Sequence, residues 1–462
     1  MLTGRTNIRS LGAATAGKAA LLAAGPVAVH LALFHGVATA AAVAAAGFAW
    51  LAWARPEAAL LAVLGLVPAL AALGHGAGPL PAAALGAVAL LLPRAVLGAP
   101  RARLDLLLIL LTAVALTLSW LLPAVPLHVE HTWKSYGLLL VGLGLLAAAV
   151  LTPPDPRRVA RTVAGSGALL AALLLLRGAY ADGRLTGLGL NPNYVGAALA
   201  LPLVAAAGLI RTSRSWLWVP PGALCACALV ETRSRGAFVM AAAGLACVLF
   251  LGRPLRHKAL IVLALLTAAA LLPGTLDSVE DDLTGSRSRT ELTSNTAVRE
   301  KAALLAVRVA VDHPLRGIGY ALFPEYARNS PGLGVYMNTH NDYLRLAAEA
   351  GPVTLVLLLA LLWLGLARRY PPDHAVLQAV CVAYAAGLLF ANALTDLVIS
   401  TPFWICLGCL LARAGRRGAL PHRQGPEPPR QETPPHPHRR SPPLSTPPLL
   451  TRTPVHDVRK AE

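Results

Sequence analysis

The chain has 462 residues, of which 56% are hydrophobic and only 13% charged, with a formal net charge of +18. A soluble domain carries roughly a quarter charged residues, so this composition excludes an ordinary water-soluble protein. It points away from a nucleic-acid binder as well, because the basic excess is distributed by topology and does not form one basic face.

Charged residues fall in short clusters between apolar runs, each close to the length of about 20 residues that crosses a bilayer. In chain order the predicted spans are 19–34, 36–54, 58–75, 79–98, 104–125, 135–151, 162–180, 192–210, 215–230, 235–251, 257–273, 352–367, 376–393 and 397–412. The predicted fold class is all-α: a polytopic transmembrane helical bundle of about 12–14 spans with one long outer loop. The runs are rich in Leu, Ala, Val and Gly. Small residues let helices approach closely where lipid supplies no hydrophobic drive between them.

Placing the N-terminus inside, with Arg5, Arg9 and Lys18, and alternating, puts 17 basic residues on the inner side through Arg369. The short outer turns hold only Lys134, Arg177, Arg184, Arg233 and Arg235. This is the positive-inside asymmetry. The expected organisation is a cytoplasmic N-terminus (1–18), a transmembrane bundle (19–273), an extracytoplasmic loop with interfacial helices (274–351), a second bundle segment (352–414) and a disordered Pro-rich cytoplasmic tail (415–462). The N-terminus resembles an uncleaved signal-anchor. The long loop carries eight basic and ten acidic residues; the tail carries nine basic and four acidic. Such a tail cannot bury a core.

All six cysteines fall within predicted spans. Cys406 and Cys409 share a helix face but have no His or carboxylate ligands nearby, so they read as small apolar fillers and no metal is expected. The sequence has no Walker loop and no dinucleotide fingerprint, which argues against an ATP-driven pump.

Ionisable residues at a membrane boundary are expensive unless paired or used. Four outer segments stand out on that ground. Asn191-Pro192-Asn193-Tyr194 opens the eighth span, and Glu231 through Gly236 forms the tight turn between the ninth and tenth. Arg299 through Gly319 lies in the long loop, and Asn338 through Leu344 runs through Glu349 and Gly351 into the twelfth span.

This set resembles the O-antigen ligase and O-antigen polymerase superfamily of membrane glycosyltransferases. Members have an Asn-Pro-Asn before one span and a Ser-Arg-Gly before another. A loop Arg then precedes His-Pro-x-x-Gly-x-Gly, and His-Asn-x-Tyr-Leu leads into Ala-Glu-x-Gly. All four features occur here in that order, within residues 191–351. The resemblance implies transfer of a glycan from an undecaprenyl-pyrophosphate carrier to an acceptor hydroxyl, with no cofactor and no metal. The implied partners are that lipid-linked glycan, a glycolipid or glycan acceptor, and the membrane; nucleic acid is not among them. The implied location is the cytoplasmic membrane, with the active site on the outer face and both termini cytoplasmic.

By the same resemblance Arg235 and Arg299 match phosphate-binding arginines, and His340 matches the proposed base. Guanidinium suits this task because it stays charged and presents a planar fork to phosphate oxygens. His340 is expected in the first turn of a helix capped by Thr339 or Asn338, with Asp342 bonding back; a helix N-terminus disfavours imidazolium and keeps the ring neutral. Arg233, Arg316, Asn193, Asn341 and Tyr343 are the expected substrate-binding residues.

Plainer readings stand beside these. The plainer alternative for Arg235 is a topological or snorkelling residue, and for Arg299 decoration on an amphipathic helix over 296–312 whose Ala, Leu and Val stripe lies on the membrane. Asn193 either holds the sugar or pyrophosphate or caps the eighth span. His313 belongs to the turn that Pro314, Gly317 and Gly319 impose. Arg316 and the Ser, Thr and Arg residues of 287–299 depart from the family pattern and leave the acceptor open. The competing class is a secondary transporter of a small solute, which would place paired charges or broken helices near the bilayer midplane.

Overall fold

The computed structural model describes residues 37–73, 79–97, 103–127, 129, 132–251, 289–331 and 333–418. The N-terminal segment 1–18, the predicted spans 19–34 and 257–273, loop residues 274–288 and the tail from 419 lie outside the described residues.

The described residues form α1 (Val37–Ala54), α2 (Pro56–Leu73), α3 (Pro79–Leu97), α4 (Leu104–Leu121), α5 (Thr132–Leu151) and α6 (Pro156–Arg177). A small antiparallel hairpin follows, β1 (Tyr180–Ala181) with β2 (Arg184–Leu185). Next come α7 (Pro192–Ser213), α8 (Val219–Thr232), α9 (Arg235–Leu249), α10 (Arg289–Asp312) and α11 (Phe323–Asn329). The chain closes with α12 (Asp342–Ala350), α13 (Pro352–Leu366), α14 (Pro372–Gly387) and α15 (Leu397–Gly418). The first four residues of the expected tail are therefore the end of α15.

Helix boundaries follow local chemistry. Proline opens α6, α7, α13 and α14, where its missing N–H has no intrahelical partner to lose. The Asp155 side chain accepts from Arg158 N–H to cap α6, and Gly178 closes that helix in the left-handed conformation. This cap moves the start of the helix well ahead of the predicted 162.

Four helices, α4, α5, α6 and α7, are long and apolar enough to cross a membrane, and shorter apolar helices accompany them. On α4 the large side chains Leu107, Leu110, Leu118 and Leu121 are exposed. A contiguous apolar face of this kind is a liability in water and at home in lipid. The chain is a polytopic helical membrane protein.

α7 lies at the centre, packed on α6, α8, α9 and α14, while α5 packs along α15. Glycines make the close contacts that lipid-solvated helices require. A Cβ on Gly167 of α6 would collide with the Pro202 ring of α7, and one on Gly142 of α5 would collide with the buried Trp404 indole of α15. Gly165, on the other side of α6, has open space. Gly167→Leu is therefore expected to destabilise the bundle by about 1–3 kcal/mol or more through overpacking, and Gly165→Leu to be tolerated. Thermal stability of the two purified variants in detergent checks this; equal melting would contradict it.

Two parts of the bundle differ from the sequence expectation. The predicted twelfth span, 352–367, matches α13, but the run expected to lead straight into it is broken: α12 ends at Ala350, and Gly351 (φ +86°) redirects the chain into α13. The predicted span 376–393 stops at Gly387, and residues 388–396 run irregularly before α15. Side chains and amides from other elements claim that stretch. Asp342 N–H donates to Leu388 O (2.8 Å), the Tyr194 hydroxyl to Asn392 O (3.2 Å) and the Tyr384 hydroxyl to Ala393 O (3.0 Å).

Candidate active site

The irregular segment 388–396 is a hub where three of the four segments singled out in the sequence meet. Gly236, at the start of α9, packs on Phe390; an added Cβ would lie 3.1 Å from the Phe390 Cβ. The Asn392 amide donates to Thr339 Oγ1 (3.3 Å) and Asp342 Oδ1 (3.2 Å). Tyr194, beside Asn193, reaches Asn392 O. Arg235 and His340 are thus brought to one end of the bundle although 105 positions separate them in the sequence. Arg299 joins them electrostatically: burial first, and then its charge, lower the His340 pKa to about 4.

His340 does not sit in the first turn of a helix. Asn341 is the cap of α12, its side chain accepting from Tyr343 N–H (3.0 Å) and Leu344 N–H (3.1 Å). Neither Thr339 nor Asn338 has that role. His340 precedes the cap in the left-handed conformation, φ +50°. That geometry is several-fold enriched for His but still costs free energy, and it persists only where the surroundings fix it. Thr339 supplies the fixing: its hydroxyl donates to Asn341 O (2.8 Å) and accepts from Asn341 N–H (3.3 Å). The expected bond from Asp342 back to His340 is replaced by others. Asp342 is buried and accepts from Leu394 N–H (2.8 Å) and the Asn392 amide, and burial lifts its pKa to about 6 against the pull of Arg345.

The Ser-Arg-Gly turn divides its labour. Ser234 Oγ accepts from Ala237 N–H (3.4 Å) to cap α9, Gly236 allows the approach to Phe390, and the Arg235 side chain is exposed at the first position of the helix. Arg233 is left-handed, φ +47°, and ends α8. Asn193 does not cap α7; Asn191 does, accepting from Asn193 N–H (3.0 Å) and Tyr194 N–H (3.2 Å). The Asn193 oxygen instead accepts from Arg184 Nη2 (2.8 Å).

Arg184 was legible only as one of the few outer basic residues. Its side chain is buried, and it also donates through Nε to Thr232 O (2.9 Å) and through Nη2 to Arg233 O (3.4 Å). Tyr343 donates its hydroxyl to Ala385 O (2.8 Å), and the Asn341 side chain caps α12.

The glycine motifs have a structural task. Ile318 N–H donates to Ala348 O and Gly319 N–H to Glu349 O, both at 3.0 Å, which docks the turn 313–319 on the end of α12. Gly317 (φ +65°) lies against the Ala348 and Glu349 carbonyls, and Gly351 against Leu315 O, with no room for a Cβ. Glu349, wholly buried, accepts from Ala321 N–H (3.0 Å), Phe323 N–H (3.1 Å) and Arg345 Nε (3.0 Å). This clamp fixes α10, which carries Arg299, relative to α12, which follows His340. Arg316 is exposed on the turn.

α10 begins at 289, ahead of the expected 296, and is not simply a surface helix. Ala302, Ala306 and Val309 are buried, with Ala306 and Val309 in a cluster with Ile318, Phe323 and Ala348, while Leu304, Val307 and Val311 are exposed on the opposite face. The Arg299 side chain is exposed. Removing Glu349 would leave buried Arg345 with the longer Asp342 ion pair (3.9 Å) and take the acceptor from two amides. Glu349→Ala is expected to cost about 3–5 kcal/mol, as for breaking a buried ion pair, and to lower the yield of folded protein. A full yield with unchanged melting would contradict this.

The fold and these residues together define a membrane-embedded helical protein with two arginines and a neutral histidine gathered at one end. Among the described residues, the buried charged side chains are Asp105, Arg184, Asp342, Arg345 and Glu349, none in the middle of a long spanning helix. No group of His, Cys, Asp and Glu among them could hold a metal ion.

Residues 221–359 match the family model described as O-antigen ligase. The match covers Arg233, Arg235, Arg299, Arg316, His340, Asn341 and Tyr343, and supports over that segment the superfamily resemblance drawn from the motifs. It supports a glycan-transferring role in polysaccharide assembly. No curated protein was found to match the chain.

Proposed function

We propose that the protein transfers a glycan from an undecaprenyl-pyrophosphate carrier to an acceptor hydroxyl at the outer face of the cytoplasmic membrane, in ligase-like or polymerase-like fashion, without a metal. The observation that supports this reading is that the turn bearing Arg235, through Gly236, and the segment bearing His340, through Asp342, both pack on 388–396, while Arg299 lies near enough to His340 to help lower its pKa. His340 takes the proton of the acceptor hydroxyl as its oxygen bonds to the sugar carbon. The bond from that carbon to the pyrophosphate breaks, and its electron pair leaves with the pyrophosphate. Arg235 and Arg299 stabilise the charge that develops there, with Arg233 and Arg316 as further phosphate contacts and Asn193 near the sugar. Fixed positive charge in a partly dry site is usually the largest catalytic contribution in such a reaction.

A cell lacking the protein is expected to accumulate lipid-linked glycan and lose the mature surface polymer, with recovery by the native chain and not by His340→Ala. If the lipid-linked glycan stays on the inner leaflet, or if a solute flux is lost instead, the transporter reading replaces this one.

A further inference from the structure

Buried Arg184 bonds to one turn and to one neighbouring amide. Nε donates to Thr232 O at 2.9 Å, and Nη2 to Arg233 O at 3.4 Å and Asn193 Oδ1 at 2.8 Å. The two carbonyls belong to the turn whose side chains include Arg233 and Arg235. Asn193 belongs to the first turn of α7. The guanidinium therefore spans two elements whose spacing no backbone ladder fixes. It reaches them from β2, and on the paired strand β1 the Tyr180 hydroxyl donates to Glu231 Oε2 of the same turn (3.4 Å). A buried guanidinium is expensive to desolvate, and the planar fork is what lets one group serve diverging acceptors.

We infer that Arg184 is a positioning residue for the pyrophosphate-binding arginines, acting through the Thr232–Arg233 backbone and the Asn193 side chain without touching substrate. This rests on the proposed transfer reaction. The left-handed Arg233 is the point at which the control acts. With its carbonyl held by Arg184, the turn keeps one conformation and presents Arg233 and Arg235 toward the same side. Without that hold, α9 and α7 still pack, but the arginines lose their common aim. Lysine retains the charge with a single ammonium that cannot form the same set of bonds.

The test uses the full chain, purified in detergent, with Arg184→Lys and Arg184→Gln; the neutral Gln leaves no buried charge and should fold if Lys does not. Hydrogen exchange of amides 231–236 is expected to speed up at least tenfold in both variants, with the remaining amides of α7 and α9 still protected. In glycan transfer the KM for the lipid-pyrophosphate donor should rise at least tenfold, while the acceptor KM and the acid limb of the pH profile stay as in the native chain. Unchanged exchange at 231–236, or a lower kcat at constant donor KM in proportion to folded protein, overturns the positioning role. Absence of transfer by the native chain would refute the reaction assigned above. The exchange measurement would still decide whether Arg184 holds the turn.

Discussion

Replacing His340 with alanine is expected to cut glycan transfer by about a hundredfold or more, the range a positioned general base contributes, with little effect on insertion or abundance. Among the described residues the side chain makes no hydrogen bond, and the neighbouring Thr339, Asn341 and Asp342 hold the local fold. The pH dependence carries the assignment further. Only the neutral imidazole can accept a proton, so activity through His340 falls as pH drops through its pKa. Burial and Arg299 lower that pKa to about 4, which puts the acid limb of kcat/KM, reporting the free protein, well below the ordinary histidine value. A bound pyrophosphate offsets the Arg299 charge and raises the pKa, so the limb of kcat should lie at higher pH than that of kcat/KM. Arg299→Gln should move the kcat/KM limb upward without restoring the ordinary value, since burial is the larger cause. Limbs that coincide and do not move in the Arg299 variant would remove His340 from the base role.

Arg235→Ala is expected to lower transfer by about a hundredfold, comparable with losing one well-placed oxyanion donor. Arg235→Lys should recover little of it. The charge is kept, but the planar fork that meets two phosphate oxygens is gone. Stability should hardly change, because the Arg235 side chain is exposed while Ser234 caps the helix and Gly236 makes the packing contact. A snorkelling arginine would give the opposite pattern, with Lys fully competent. Comparing donor turnover by the two variants at matched protein amounts separates these outcomes.

The spanning helices were legible because apolar runs of bilayer length admit few alternatives, and Pro192 and Pro352 mark helix starts directly. The order of the polar motifs was legible too. What each motif residue does was not. In Asn338-Thr339-His340-Asn341, three residues could cap a helix, and the choice of Asn341 depends on Asn392 engaging Thr339 from a segment more than fifty positions away. The break at Gly351 was hidden because the sequence on either side reads as one helix; only the approach of Leu315 O demands its positive φ. The unwinding of 388–396 was equally hidden, since Leu388, Phe390, Ala391 and Leu394 continue an apolar pattern while Asp342 bonds the Leu388 carbonyl and Leu394 amide and Tyr194 the Asn392 carbonyl. Arg184 looked like a topological residue because its burial arises from tertiary contacts with the turn at 232–233.

Purified native protein in detergent, given a lipid-pyrophosphate glycan and an acceptor from the source organism, with chelator present and no nucleotide, provides the most direct test of the proposed reaction. Detergent removes the two compartments a transporter needs, so only chemistry can generate a new molecule. The expected result is a glycosylated acceptor with one polyprenyl pyrophosphate released per glycan transferred, absent with the His340→Ala chain. Donor and acceptor recovered unchanged from folded native protein, with solute flux appearing on reconstitution into vesicles, would contradict the account.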